Sequence, residues 1–357
     1  MGCMASSQRI DVSRAPTVSS WQDARKGETI VSAIVRLDDE IAKSEKPHPL
    51  ARLAVVTAEM ESIQQEINTF EETTRPMVTQ ESYAKTIHQL FVSLDLYRRP
   101  LLASENEDFV ANVNRKEMRR LELCWLQTRQ SELQSERRIL HAQILRTRSL
   151  YAQLQQLMDT LWGFNSRPGT PLEGELSRAR GLRDALASVS ARLRAAAEYA
   201  HAAVRLLDDA LPAWKMTSVG KSGWERTTAC ADACRFLVQA RCLERGARRV
   251  LAAPAAPRAA RTLRLALDYA FTDALHDHKY QRATEIFIQF KEALVQLIDS
   301  IHKVLLNNLE NLSVAESEVL KYQQELRATR VNAIVQKGLG DLKYESKTLN
   351  NLKTQVK

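Results

Sequence analysis

The feature that most constrains the fold is a stretch of nearly 60 residues, 104–162, that contains neither proline nor glycine. Ser104 and Glu107 at its start match a capping box, in which two side chains satisfy the free N–H groups of a first helical turn. In its second half, a seam of side chains recurs in alternating steps of four and three residues. The seam consists of Leu140, Ile144, Thr147, Tyr151, Leu154, Met158 and Leu161. This heptad pattern predicts one long helix with a continuous packing face.

Proline and glycine divide most of the remaining chain into further helical segments, because neither residue is favoured inside a helix. The segments predicted to be helical are 29–46, 50–73, 79–97, 172–211, 224–252, 258–277 and 280–337. The alternation of apolar and polar residues that is typical of strands does not persist between turn signals. We therefore predict an all-α fold, an elongated bundle of long antiparallel coiled-coil-like helices.

The net charge of +8 is concentrated in one region of the chain. Residues 31–112 carry a net charge of −6, whereas residues 113–264 carry +13, with 24 arginines among 27 basic residues. Arginine suits phosphates and carboxylates, because its guanidinium is planar and weakly hydrated. A GC-rich coding bias that raises alanine and arginine together is an alternative origin of the arginine content. It does not account for the positive net charge.

Nine arginines of this region are assigned to a predicted basic surface. They are Arg178, Arg183, Arg194, Arg245, Arg248, Arg249, Arg258, Arg261 and Arg264. Anionic lipids, a partner protein or the acidic block 31–112 of the same chain are the counterparts that we consider, alongside a merely solvated face. Nucleic acid is disfavoured, because the aromatic residues of a base-stacking surface are missing among these arginines.

The chain opens with Met1-Gly2-Cys3-Met4-Ala5-Ser6, which fits the acceptor pattern for N-myristoylation. Gly2 is the acceptor once Met1 is removed, and Ser6 stands at the required position. This start resembles the dually acylated N-termini of Src-family kinases and G-protein α subunits, over about nine residues. The resemblance implies myristate on Gly2 and palmitate on Cys3. One myristoyl chain binds a bilayer only marginally, whereas two acyl chains anchor a protein stably.

Other features are compatible with a peripheral protein on the cytosolic face of a membrane. No run of 18 apolar residues occurs, so we expect no membrane-spanning helix. No apolar segment of a secretory signal follows the start. The chain has five cysteines, which is an odd number, and their spacing is not that of a disulfide framework. This pattern indicates reduced thiols in the cytosol.

Signatures of catalysis and of cofactor binding are missing from the sequence. It contains no glycine-rich phosphate loop and no nucleophile elbow. Cys230, Cys234 and Cys242 are interpreted as small buried residues, and His276 and His278 as part of a solvated turn. We therefore expect a protein that is not an enzyme and that has neither a metal nor another cofactor.

The regions predicted from the sequence follow one another along the chain. They are an acylated flexible tether (1–28), a helical region (29–163), a hinge (164–171), a second helical region (172–337) and a basic flexible tail (338–357). Thr170-Pro171 in the hinge is a predicted site of proline-directed phosphorylation, which would add negative charge beside Arg167.

Our leading hypothesis is a lipid-anchored scaffold or adaptor that acts through helical surfaces, with a helical partner or a second copy of itself. The helix lengths also resemble those of BAR-type and spectrin-type bundles, although no diagnostic motif is present. The alternatives are therefore a BAR-like dimer that binds curved membranes and a cytosolic assembly subunit with a fortuitous N-terminal motif.

Overall fold

The computed structural model describes residues 28–71, 80–99, 102, 105–163, 167–253 and 257–339. Within these ranges the secondary structure is helical and no strand occurs, which confirms the all-α prediction. The helices are α1 (Ile30–Glu45), α2 (Pro49–Glu71), α3 (Gln80–Ser93), α4 (Glu107–Trp162), α5 (Thr170–Val219), α6 (Gly223–Leu251), α7 (Pro257–Asp268), α8 (Ala270–Asp273) and α9 (Asp277–Gln336).

The contacts divide the helices into two compact units. The first unit combines α1 with the end of α4 from residue 145, the start of α5 to residue 179 and the end of α9 from residue 318. The second unit contains α2, α3, α6, α7 and α8 with the remaining parts of the three long helices. Each unit therefore combines segments from both sides of residues 164–171.

The core of the first unit is built on one face of α1. Thr29 caps this helix, because its hydroxyl accepts a hydrogen bond from the N–H of Ser32 at 3.2 Å. The buried residues of this core are Ile30, Ala33, Ile34, Leu37 and Ile41 of α1, Leu150, Leu154, Leu157, Met158 and Trp162 of α4, and Ile334 of α9. The C-terminal half of the predicted heptad seam thus packs against α1 of the same chain.

The core of the second unit surrounds Trp214, which is 1% exposed. The indole stacks on Tyr280 with ring centroids 5.1 Å apart and meets the edge of Phe287 at 5.2 Å. Its N–H donates a hydrogen bond to the hydroxyl of Thr284 at 2.8 Å. A tryptophan that is packed on apolar rings with its N–H satisfied fixes α5 firmly against α9.

The prediction that α5 ends at residue 211 is wrong, since the helix continues through Pro212 to Val219. Proline removes one backbone donor and crowds the preceding turn. Pro212 itself is exposed, and Trp214 two residues later is buried against α9. Tertiary packing of the tryptophan therefore outweighs the local cost of the proline.

The predicted helix 258–277 is divided into α7 and α8. Tyr269 between them has φ −96° and ψ 4°, outside the helical region. Ala270 and Phe271 follow directly and are buried in the core of the second unit. The helix is thus interrupted at Tyr269, directly before the apolar residues of α8 that lie in that core.

The buried face of α5 differs from the predicted one around residue 186. The spacing of Leu182, Leu186 and Val189 in the sequence predicts that they share the buried stripe of this helix, but Leu182 and Val189 are 53% and 44% exposed. The side chains buried there are those of Arg183, Ala187 and Ser190. Asn308 of α9 donates a hydrogen bond to the Ser190 hydroxyl at 2.7 Å. This polar contact and the small side chains on α5 determine which face packs.

Candidate functional site

The predicted acylation residues Gly2, Cys3 and Ser6 lie outside the described residues. Acylation at Gly2 and Cys3 therefore stays a prediction from the sequence.

Thr170, the predicted phosphorylation site, is the first residue of α5 and is exposed. Its hydroxyl donates a hydrogen bond to the backbone carbonyl of Arg167 at 3.0 Å. The guanidinium of Arg167 forms an ion pair with Asp159 at the end of α4. A phosphate on Thr170 would meet the positive end of the helix dipole and would compete with Asp159 for Arg167.

The nine arginines of the predicted basic surface fall into two groups. Arg178, Arg194, Arg258, Arg261 and Arg264 are exposed. For Arg183 the surface prediction is wrong, because this residue is 8% exposed and its guanidinium contacts Asp184 at 2.8 Å. The other three, Arg245, Arg248 and Arg249, are partly buried on α6.

The arginines of α6 form ion pairs inside the second unit. Arg245 contacts Glu122 of α4, and Arg249 contacts Glu66 of α2 at 3.2 Å. Arg248 pairs with Glu244 one turn earlier on the same helix. Since Glu66 belongs to the acidic block 31–112, part of the basic block is neutralised within the chain. Burial lowers the pKa of Arg245, although the side chain keeps contact with its carboxylate partner.

The exposed arginines of α7 form what we call the α7 basic face. Arg258, Arg261 and Arg264 are three residues apart, so they lie on neighbouring turns of one side of the helix. Leu263 and Leu267 on its other side are buried in the core of the second unit. The apolar side of α7 thus fixes the helix to the core while the arginines face solvent.

A further group of polar residues lines a groove of about 540 Å³ along α5, which we call the α5 groove. Arg194, Glu198, His201 and Arg205 follow one another at steps of four, three and four residues, and therefore share one helix face. Nε2 of His201 lies 3.4 Å from Nε2 of His302 on α9, with ring centroids 5.2 Å apart.

Of these groove residues, Arg194 alone belongs to the predicted basic surface. The helical spacing of His201 and Arg205 from Arg194 was sufficient to predict that these residues share one face of α5. The contact with His302 was not predictable from the sequence, because it depends on the register between α5 and α9.

The polar side chain of Glu59 on α2 is buried in a second cluster. Its carboxylate accepts hydrogen bonds from the Tyr199 hydroxyl and from Arg129, the latter at 3.2 Å. Arg129 also donates a hydrogen bond to the Tyr199 oxygen at 2.7 Å and lies over that ring. Burial raises the pKa of Glu59, while Arg129 opposes the shift. The three groups satisfy one another, which indicates a role in packing α2, α4 and α5.

The cysteines of α6 are buried free thiols. Burial raises the pKa of Cys242 to about 12 and also raises the pKa of Cys230. A thiol with such a pKa is protonated and unreactive at neutral pH. Among the described residues, no three His, Cys, Asp or Glu side chains come together as a metal site would require.

Comparisons with known proteins give no relative for this chain. No family model, no curated protein and no solved structure matches it. None of the helices in the described part of the chain has the length and apolar character needed to cross a bilayer.

Proposed function

We propose that this protein is a lipid-anchored scaffold on the cytosolic face of a membrane and that it acts through helical surfaces without catalysing a reaction. The observation that carries the proposal is the N-terminal sequence, with Gly2 at the acceptor position, Ser6 four residues later and Cys3 beside the acceptor. Two acyl chains would hold the protein at the bilayer more firmly than the marginal binding of one.

The α7 basic face supports this proposal, because an anchored protein meets the negative surface of the cytoplasmic leaflet. Each arginine or lysine near such a surface contributes about 1 kcal/mol of attraction. The exposed face carries Arg258, Arg261 and Arg264, and residues 245–264 contain no acidic residue. The α7 basic face would therefore lie against anionic lipid while the acyl chains hold the N-terminus.

A helical partner would have to bind to surfaces other than the heptad seam. Leu140 of this seam packs in the core between α2 and α4, and Leu154 and Met158 pack against α1. The seam is thus used within the chain. We propose that helical partners bind to the exposed sides of the long helices.

Metabolic labelling tests the chemical basis of the proposal. The full chain, with no tag before Met1, is expressed in mammalian cells with alkyne analogues of myristate and palmitate. We expect wild type to incorporate both analogues. Gly2→Ala should incorporate neither, because palmitoyl transfer to Cys3 requires prior contact with the membrane. Cys3→Ser should retain myristate and lose palmitate.

The controls separate acylation from unrelated modification. Cys124→Ser serves as the matched thiol control, because Cys124 is an exposed cysteine on α4. This variant should incorporate both analogues as wild type does. Wild type without myristate would contradict the anchor and would favour the cytosolic assembly subunit instead.

A further inference from the structure

We propose that the α5 groove binds a ligand with more than one phosphate group, such as a soluble inositol polyphosphate or the headgroup of a phosphoinositide. This site is distinct from the α7 basic face. It also does not depend on acylation, since all of its residues belong to the second unit.

The charge of the groove favours an anion. Arg194 and Arg205 line it, and neither forms an ion pair within the described part of the chain. The carboxylate among the lining residues belongs to Glu198, whose charge also acts on Arg52 of α2. Two unpaired guanidiniums beside one shared carboxylate leave the groove positive. Arginine is the side chain best suited to hold phosphate, because it can donate two parallel hydrogen bonds.

The spacing of these groups favours more than one phosphate. Arg194 and Arg205 are eleven residues apart, which corresponds to about 16 Å along a helix. His201 lies between them and contacts His302. A ligand that spans the groove would therefore meet an arginine at each end and the imidazole of His201 in the middle.

The remaining lining fits the uncharged part of such a ligand. Ala197, Ala202 and Leu305 give the groove a small apolar floor. Its volume of about 540 Å³ lies within the range of about 300–1,000 Å³ that is usual for small-molecule sites. The ring of an inositol could lie on this floor with its phosphates directed to the arginines.

A divalent metal is the competing occupant of the two histidines. Tetrahedral Zn²⁺ has bonds of about 2.0–2.1 Å to histidine nitrogen, which places two such nitrogens about 3.3–3.4 Å apart. The distance of 3.4 Å between the two Nε2 atoms matches this value. The two arginines that line the groove beside His201 favour an anion over a cation, and the experiment includes the metal as an outcome.

Calorimetric titration of the purified, unacylated full chain tests the proposal. The probes are inositol hexakisphosphate, inorganic phosphate and ZnCl₂, each in chloride buffer of about 150 mM ionic strength to screen diffuse attraction. We expect wild type to bind inositol hexakisphosphate at one site, and inorganic phosphate at least tenfold more weakly. The double variant Arg194→Ala/Arg205→Ala should lose at least tenfold in affinity, because the charged hydrogen bonds to phosphate are lost at both ends of the groove.

A matched control removes the same charge elsewhere. Arg119→Ala/Arg138→Ala deletes two exposed arginines of α4, and its affinity for inositol hexakisphosphate should stay within about threefold of wild type. Equal losses in both double variants would show diffuse attraction and overturn the proposal. Binding of Zn²⁺ without binding of inositol hexakisphosphate would also overturn it, as would no binding of the polyphosphate.

Vesicles identify the source of the phosphate. Flotation is compared between vesicles that contain phosphatidylinositol bisphosphate and vesicles of equal charge made with phosphatidylserine. Selective capture by the first that is lost in Arg194→Ala/Arg205→Ala identifies a lipid headgroup as the ligand. Polyphosphate binding without this selectivity identifies a soluble ligand. Both results support the site, and neither depends on whether Gly2 is acylated.

Discussion

At the scale of single residues, three buried or partly buried glutamates of the second unit are matched by arginines from other helices. Glu59, Glu66 and Glu122 each contact an arginine from a different helix. The sequence shows an acidic block and a basic block but does not show which members meet. That pairing depends on the register of helices that are far apart in the chain, and local spacing contains no information on it.

The first prediction at this scale concerns Tyr199. Tyr199→Phe leaves the Glu59 carboxylate buried with one donor fewer, so we expect the free energy of unfolding to fall by about 1–3 kcal/mol. Urea denaturation followed by circular dichroism measures the change. Tyr322→Phe is the control, since Tyr322 is partly buried and its hydroxyl forms no hydrogen bond within the described residues. Equal stability of Tyr199→Phe and wild type would contradict the role of the cluster.

The second prediction concerns pH. Burial raises the pKa of Asp273 to about 7, and Glu107 adds to this rise while Lys279 and Arg282 oppose it. The folded protein therefore holds a proton that the unfolded chain releases near pH 4. The contribution of Asp273 to the free energy of unfolding is fully present below pH 4 and is lost as the pH rises to about 7.

Asp273→Asn should remove this loss. Measured by urea denaturation at intervals from pH 4 to pH 8, the stability of the variant relative to wild type should increase with pH. Asp209→Asn changes an exposed carboxylate of α5 and should run parallel to wild type. If the stability of Asp273→Asn also follows that of wild type at every pH, the pKa of Asp273 is not raised in the folded protein.

At the scale of helices, local signals determine the fold class and many helix ends, whereas packing determines the exceptions. Prolines 47 and 49 mark the boundary between α1 and α2 as predicted. Pro212 does not end α5, because Trp214 is held in the core. Arg183 replaces Leu182 on the buried face of α5, because the face is chosen by its contact with α9. A pattern within one helix does not contain these contacts.

The packing of Trp214 leads to a prediction for the stability of Pro212→Ala. The substitution restores a backbone N–H inside a helix that the tertiary structure already maintains. We expect the free energy of unfolding to rise by at least about 1 kcal/mol, out of the roughly 3 kcal/mol that an interior proline costs. Lys215→Ala, at an exposed position on the same helix, should change it by less than about 0.5 kcal/mol. A decrease for Pro212→Ala would mean that Trp214 requires the proline to reach its site.

The α7 basic face gives a second prediction for a helix. Arg258→Ala/Arg261→Ala/Arg264→Ala should weaken binding of the unacylated chain to phosphatidylserine vesicles by one to two orders of magnitude, from about 1 kcal/mol per arginine. The control is Arg119→Ala/Arg138→Ala/Arg148→Ala, which removes three exposed arginines from α4. If both triple variants bind alike in a flotation assay, net charge alone is responsible and α7 is not the membrane-facing surface.

At the scale of the whole molecule, the basic residues of the chain have two parts. One part is neutralised within the fold, where arginines of α6 form ion pairs with glutamates of α2 and α4. The other part is exposed on α7 and in the α5 groove. The all-α class and the long helices were predictable from periodicity. The division of the charge was not, since it requires the three-dimensional arrangement of the helices.

We propose that acylation of Gly2 and Cys3 holds the protein at a membrane. Membrane fractionation of cells that express untagged wild type, Gly2→Ala and Cys3→Ser tests this anchor. We expect wild type in the membrane fraction, Gly2→Ala in the soluble fraction, and Cys3→Ser between them, because one myristoyl chain binds only marginally. A Gly2→Ala variant that distributes between the fractions as wild type does would contradict the claim.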